Sequence, residues 1–226
     1  MIGSVHILGN RYFSDADIIS KFASQPYSRL SAYGSSSHYQ IDKLERDTEF
    51  LSFYYKDNGF AQVKVEKPTV VLDAQRRFVR LTFHLEEGAQ YRVGNISVTG
   101  DVGTSLHVED KLVEEMQLVS GELFRYSRFA KDVEQLVDKY GNLGYAFADV
   151  NPITVFNKEK QVVDIRYDIT KGRKVYLGEI HIIGNTKTRD NVIRREAMIA
   201  ESELYSGTKL AATKRNINRL GFFEEV

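Results

Sequence analysis

The 226 residues carry 31 basic and 31 acidic side chains, 42% hydrophobic residues and no cysteine. Zero net charge removes the basic excess expected of a nucleic-acid binder, and the missing cysteine excludes disulfides and thiolate metal sites. No apolar run approaches the roughly 18 residues of a membrane helix, and "MIGSVHILGN" is too short and polar for a signal peptide, so any export signal would lie outside these residues.

The first predicted element is the strand in "GSVHILGN", where Val5 and Ile7 alternate with polar residues and a Gly-Asn turn closes the segment. A helix should open at Ser14, with Asp17 three residues on, and turn Ile18, Ile19 and Phe22 inward. "SRLSAYGSSSH" follows as a Ser/Gly-rich loop, where extra length costs little. A second helix carries Leu44, Leu51 and Tyr55 and ends at Gly59, placed as the left-handed residue beyond a helix terminus. "AQVKVEKPTVVL" then supplies a second strand. "RFVRLTFHLEEG" supplies a third, with Val79, Leu81, Phe83 and Leu85 on one face.

The same order returns. "GNISVTGD" and "GEIHIIGN" repeat the first strand, the latter through Ile180 and Ile182. Helices follow with cap candidates Ser105 and Thr188 and inward residues Val108, Leu112 and Met116, then Val192, Ile193 and Ala197. The second helices carry Phe129, Val133, Leu136 and Tyr140, then Leu210, Ile217 and Leu220, closed by Gly144 and Gly221. "QVVDIRYDITKG" matches the earlier third strand, with Val163, Ile165, Tyr167 and Ile169 in its core positions. The fold class is therefore α+β, built from tandem β-α-α-β-β repeats, each a three-stranded sheet covered on one face by two helices. The expected divisions are 1–88, 89–172 and 173–226. The third should hold a first strand, two helices and a stub, since "NRLGFFEEV" stops before a hairpin.

Catalytic signals are absent. The five histidines show no metal-ligand spacing, and no phosphate-binding or nucleophile-elbow motif occurs. The pairs Glu86-Glu87, Glu114-Glu115 and Glu224-Glu225 are sequence neighbours, which point apart, and read as solvated faces. Neither an enzyme activity nor a cofactor is expected.

The second strands carry Pro68 and Pro152, and proline is confined to sheet edges, strand starts or bulges. These strands are therefore assigned to the edge, where free N–H and C=O groups pair with an extended chain or are guarded against aggregation. The edge positions are Gln62, Lys64, Glu66, Pro68 and Val70, then Phe147, Asp149, Asn151, Pro152 and Thr154. From Arg173 onward ten basic residues face seven acidic ones, a charge suited to an anionic membrane surface or to an ordinary helix face with ion pairs.

Taken together, G-x-[IV]-x-[IV]-x-G-N, two helices, NGF or LGF, and a hairpin ending in EEG or TKG resemble the polypeptide-transport-associated (POTRA) domain across nearly the whole chain. "GEIHIIGNTKTRDNVIRRE" with "NRLGFFEEV" resembles the membrane-proximal POTRA domain of BamA-type outer-membrane assembly proteins. The resemblance implies the last three domains of an arm on the periplasmic side of a Gram-negative outer membrane, joined to its own C-terminal membrane β-barrel. It implies unfolded outer-membrane proteins as clients of the edge strands. It also implies accessory outer-membrane lipoproteins as partners, docking at Arg194, Arg195 and Glu196. The arm of a secretion transporter with one dedicated substrate, or a passive scaffold, shares the same pattern.

Overall fold

The computed structural model describes residues 1–27, 38–75, 77–103, 108–185 and 188–223. By contact the chain divides into two compact units. One holds Met1–Asn95, Leu118–Phe129 and Val155–Asp164, and the other Ile96–Gln117, Ala130–Thr154 and Ile165–Val226.

In the first unit, β1 (Ile2–Leu8), α1 (Asp15–Ile19) and α2 (Ile41–Asp57) precede β2 (Lys64–Val65), β3 (Thr69–Leu72) and β4 (Val79–Glu86). β4 is central. β1 pairs parallel on one side of it, with Val5 opposite Leu81 and Ile7 opposite Phe83, while β2 and β3 pair antiparallel on the other. Parallel pairing needs a long crossover, and the two helices supply it. The alternation written into β4 becomes a core: Val79, Leu81, Phe83 and Leu85 are buried with Ile18, Phe22, Leu44, Leu51 and Tyr55. Each such side chain contributes about 1.5–3 kcal/mol of transfer free energy. Ser14 caps α1 as expected, accepting from the Asp17 N–H at 3.2 Å.

Two expectations change here, and one lies out of reach. The second strand is split, because Glu66 to Pro68 interrupt it and proline cannot donate to the ladder. Glu87 is not on a solvated face: it accepts from the Arg11 and Tyr12 N–H groups at 2.7 and 2.9 Å and from the Tyr55 hydroxyl at 3.0 Å. The loop 28–37 lies outside the described residues.

The second repeat comprises β5 (Arg92–Gly100), α3 (Val108–Glu114), α4 (Tyr126–Asn142), β6 (Asp149–Asn157) and β7 (Val162–Thr170), with the sheet in the order β5-β7-β6. Val163, Ile165, Tyr167 and Ile169 of β7 are buried. Ser105 lies outside the described residues, as do Glu224 and Glu225. Glu115 pairs with Lys139 at 2.5 Å.

The third repeat supplies α5 (Asp190–Glu196) and α6 (Gly207–Arg219), but residues 178–184 form no strand. Ile180 and Ile182 are half-buried and Ile183 is 89% exposed. The cause is pairing, not propensity. A Cβ on Gly9 would lie 1.9 Å from the Leu85 carbonyl oxygen, and one on Gly100 2.3 Å from that of Ile169, because β4 and β7 press against these turns. Gly184 occupies the same place in the repeat, and a Cβ there would meet nothing within 4 Å among the described residues. Thr188 is not the cap of α5, since Arg189 holds that position without a side-chain bond. Leu210 is exposed, and the buried stripe of α6 begins one turn later at Thr213 and Ile217.

One recurrent device was not foreseen. Asp47 of α2 accepts from the Ala23 and Ser24 N–H groups at 2.6 and 2.9 Å. Asp132 of α4 accepts from the Gln117 N–H at 2.5 Å, and Thr213 of α6 from the Met198 N–H at 2.8 Å. All three are buried, and each ties the segment after the first helix to the second.

Successive repeats are joined by matching sets of bonds, each set lying within one unit. Tyr91 N–H donates to the Gly59 carbonyl at 2.8 Å, and Val175 N–H to that of Gly144 at 2.9 Å. Val93 N–H meets the Glu122 carbonyl, and Leu177 N–H that of Glu203, both at 2.8 Å. Leu123 lies over Gly59 and Leu204 over Gly144, where a Cβ would come within 2.6 and 2.5 Å of the leucine side chain. Both glycines have positive φ, so their residue type is set by conformation and by contact.

Candidate functional site

The edge assignment made from Pro68 and Pro152 agrees with the sheets: β2 and β3 border β4 on one side, and β6 is the last strand of its sheet. β3 lies antiparallel to β4, with Val70 opposite Leu81 and Leu72 opposite Val79. All four of its residues are exposed. Val71 and Leu72 are 52% and 58% exposed, and Phe78 adds a further apolar surface at the start of β4. Gly3, Ser4, Val71, Leu72, Phe78 and Arg80 are among the residues lining a shallow cavity of about 360 Å³. Among the described residues β3 pairs with β4 alone, and an apolar edge strand of this kind combines backbone pairing with side-chain burial for an extended ligand.

The individual edge positions differ. Gln62 lies before β2, and its Oε1 accepts from the Tyr91 hydroxyl at 2.9 Å. Lys64 pairs loosely with Glu86 across the ladder at 3.6 Å. Glu66 donates its N–H to the His84 carbonyl at 2.9 Å, and Pro68 is half-buried in the gap before β3. Only Val70 belongs to the exposed apolar segment. Val71 and Leu72 were not singled out because Val70-Val71-Leu72 is a continuous apolar run and alternation was the signal sought, and Phe78 lies outside the second-strand segment. Phe147 is 78% exposed in the turn before β6, while Asp149, Asn151, Pro152 and Thr154 lie in β6 itself, which runs through its proline unbroken.

Arg194, Arg195 and Glu196 form the last turn of α5. Arg194 is engaged, not free. Its Nη2 donates to the Ile180 carbonyl at 2.9 Å and its Nη1 lies 3.6 Å from Glu201. Glu201 in turn accepts from the Ile180 N–H at 3.0 Å. That backbone bond, with help from Arg194, holds the Glu201 carboxyl below its usual range. Arg195 is exposed and pairs with Glu196 at 3.6 Å. Arg194 and Glu201, but not Arg195 or Glu196, border a cavity of about 630 Å³ lined by Ile180, Ile182, Ile193, Ile199, Ile217 and Phe223 among others. No cluster of side chains suited to a metal occurs among the described residues.

A family model described as POTRA, surface antigen variable number repeat, matches residues 1–88, 91–172 and 175–226. The chain belongs to the POTRA family. Outer membrane protein assembly factor BamA of Nitratidesulfovibrio vulgaris is 29% identical over the whole POTRA chain, and that of Neorickettsia risticii 31%. The chain spans 28% and 30% of the lengths of these relatives. A crystal structure of Haemophilus influenzae BamA POTRA3-5 matches all of it at a TM-score of 0.85 and 26% identity, with 87% of that structure covered. The α+β repeat architecture is thus shown for this POTRA chain, as is its likeness to BamA proteins. Among the described residues no helix is long and apolar enough to cross a membrane.

Proposed function

We propose that this chain is the periplasmic arm of an outer-membrane protein assembly factor of the BamA type, carried on a C-terminal membrane β-barrel. Its repeats divide at 1–88, 89–172 and 173–226, the last lacking its final hairpin. The arm binds unfolded β-barrel proteins by adding their extended segments to the edges at β3 and β6. The observation that carries this reading is the exposed apolar edge Val70–Leu72, backed on its inner side by β4. Pairing of main chains is largely indifferent to sequence, which suits a receptor for many clients. Accessory lipoproteins dock at the exposed end of α5, through Arg195 and Glu196 beside Arg194.

Titration of the isotope-labelled chain with peptides from unfolded barrel strands tests it. Amide shifts along residues 61–71 and 146–156 are expected. No response at saturating peptide would replace this reading with that of a passive scaffold. For the docking surface, Arg195→Glu should weaken lipoprotein binding at least tenfold and leave the fold intact, whereas Arg194→Glu would also release Ile180.

A further inference from the structure

Asp57 is the last residue of α2 and Asn142 the last of α4, each two residues before the glycine that receives the next repeat. Their side chains reach across the joint. Asp57 Oδ1 accepts from the Ser127 N–H at 2.8 Å, and Asn142 Oδ1 from the Thr208 N–H at 2.9 Å. Asn142 also accepts from the Ser206 hydroxyl at 2.9 Å. Ser127 and Thr208 are the second residues of α4 and α6. The orphan amides of one helix start are therefore capped by the end of another helix. Asp57 is poorly placed for its own helix, whose C-terminus disfavours negative charge, and well placed for the next.

The corresponding last residue of α6 is Arg219, again two residues before a glycine of positive φ, Gly221. A guanidinium donates hydrogen bonds and accepts none. Its charge suits the C-terminus of α6 and opposes the positive start of an incoming helix.

We propose that this last helical residue selects what docks on each helix end. An oxygen acceptor admits the helix start of a further repeat, and an arginine such as Arg219 disfavours one. The inference rests on the three-repeat division and is independent of client binding. Transplanting the residue tests it inside the intact chain. Asn142→Arg should cost the Val175, Leu177, Tyr205 and Thr208 amides at least tenfold in hydrogen-exchange protection, while Ile7 and Phe83 serve as references in the first unit. Asn142→Asp should stay within twofold of the original, and Asn142→Leu should fall between. Asp57→Arg repeats the test at Tyr91, Val93, Phe124 and Ser127, should either variant disturb folding. Protection retained in both arginine variants would overturn the proposal, as would a leucine variant that loses as much as the arginine.

Discussion

At the scale of single residues, the same motif position has different consequences in different repeats. Gly9 and Gly100 have positive φ and lie against the carbonyl oxygens of Leu85 and Ile169. Alanine there adds a left-handed penalty of about 1–2 kcal/mol to the displacement of a core strand, about 1–3 kcal/mol more. Among the described residues Gly184→Ala meets nothing within 4 Å, so it should cost the conformational part alone. Urea denaturation of the three variants should rank Gly184→Ala well below the other two. Asp47→Ala should be comparably severe, at about 3 kcal/mol, because it leaves the Ala23 and Ser24 amides without their buried acceptor. The glycines were legible as a repeating motif. Asp47 was not, since an acid next to an apolar helical stripe reads as solvent-facing until the opposing backbone is known.

At the scale of elements, periodicity located the core strands but could not establish that each would form. β4 and β7 bury the four positions their alternation marked. "GEIHIIGN" carries the same pattern as β1 and β5 and makes no strand. A strand is completed by a non-local partner, and the pattern of one segment carries no information about it. The edge was legible from proline, which acts locally, whereas the exposed run Val70–Leu72 was legible only once β4 occupied its inner side. This supports a separation of stability from binding on β3. Leu72→Lys and Val71→Lys replace exposed side chains, so stability should change by no more than about 0.5 kcal/mol. Peptide binding, followed by fluorescence anisotropy, should weaken severalfold. An equal loss of melting temperature and binding would mean that these residues hold the sheet instead.

At the scale of the whole molecule, acid and alkali should act on different parts of the chain. Glu201 is held below its ordinary range chiefly by the Ile180 N–H, and Glu203 chiefly by Lys209. A depressed carboxylate contributes stability that is present above its unfolded value, about 4.3, and is lost as pH falls through the lower folded value. Both residues belong to the third repeat, so exchange at the Ile180 and Ala200 amides, corrected for intrinsic rates, should accelerate first in acid. Tyr55 and Tyr167 shift the opposite way. Burial raises both, assisted by the Glu87 bond at Tyr55 and by the Asp132 charge at Tyr167. A raised phenol contributes stability that is complete below the unfolded value, about 10, and is lost as pH climbs beyond it. Alkali should therefore loosen the cores around β4 and β7 while the Glu201 clasp persists. Glu201→Gln separates the two effects: it should remove the acid response at Ile180 and leave the alkaline transition, read from tyrosinate absorbance, where it was. If the acid response at Ile180 survives that substitution, the Glu201 carboxylate is not what holds residue 180 in place.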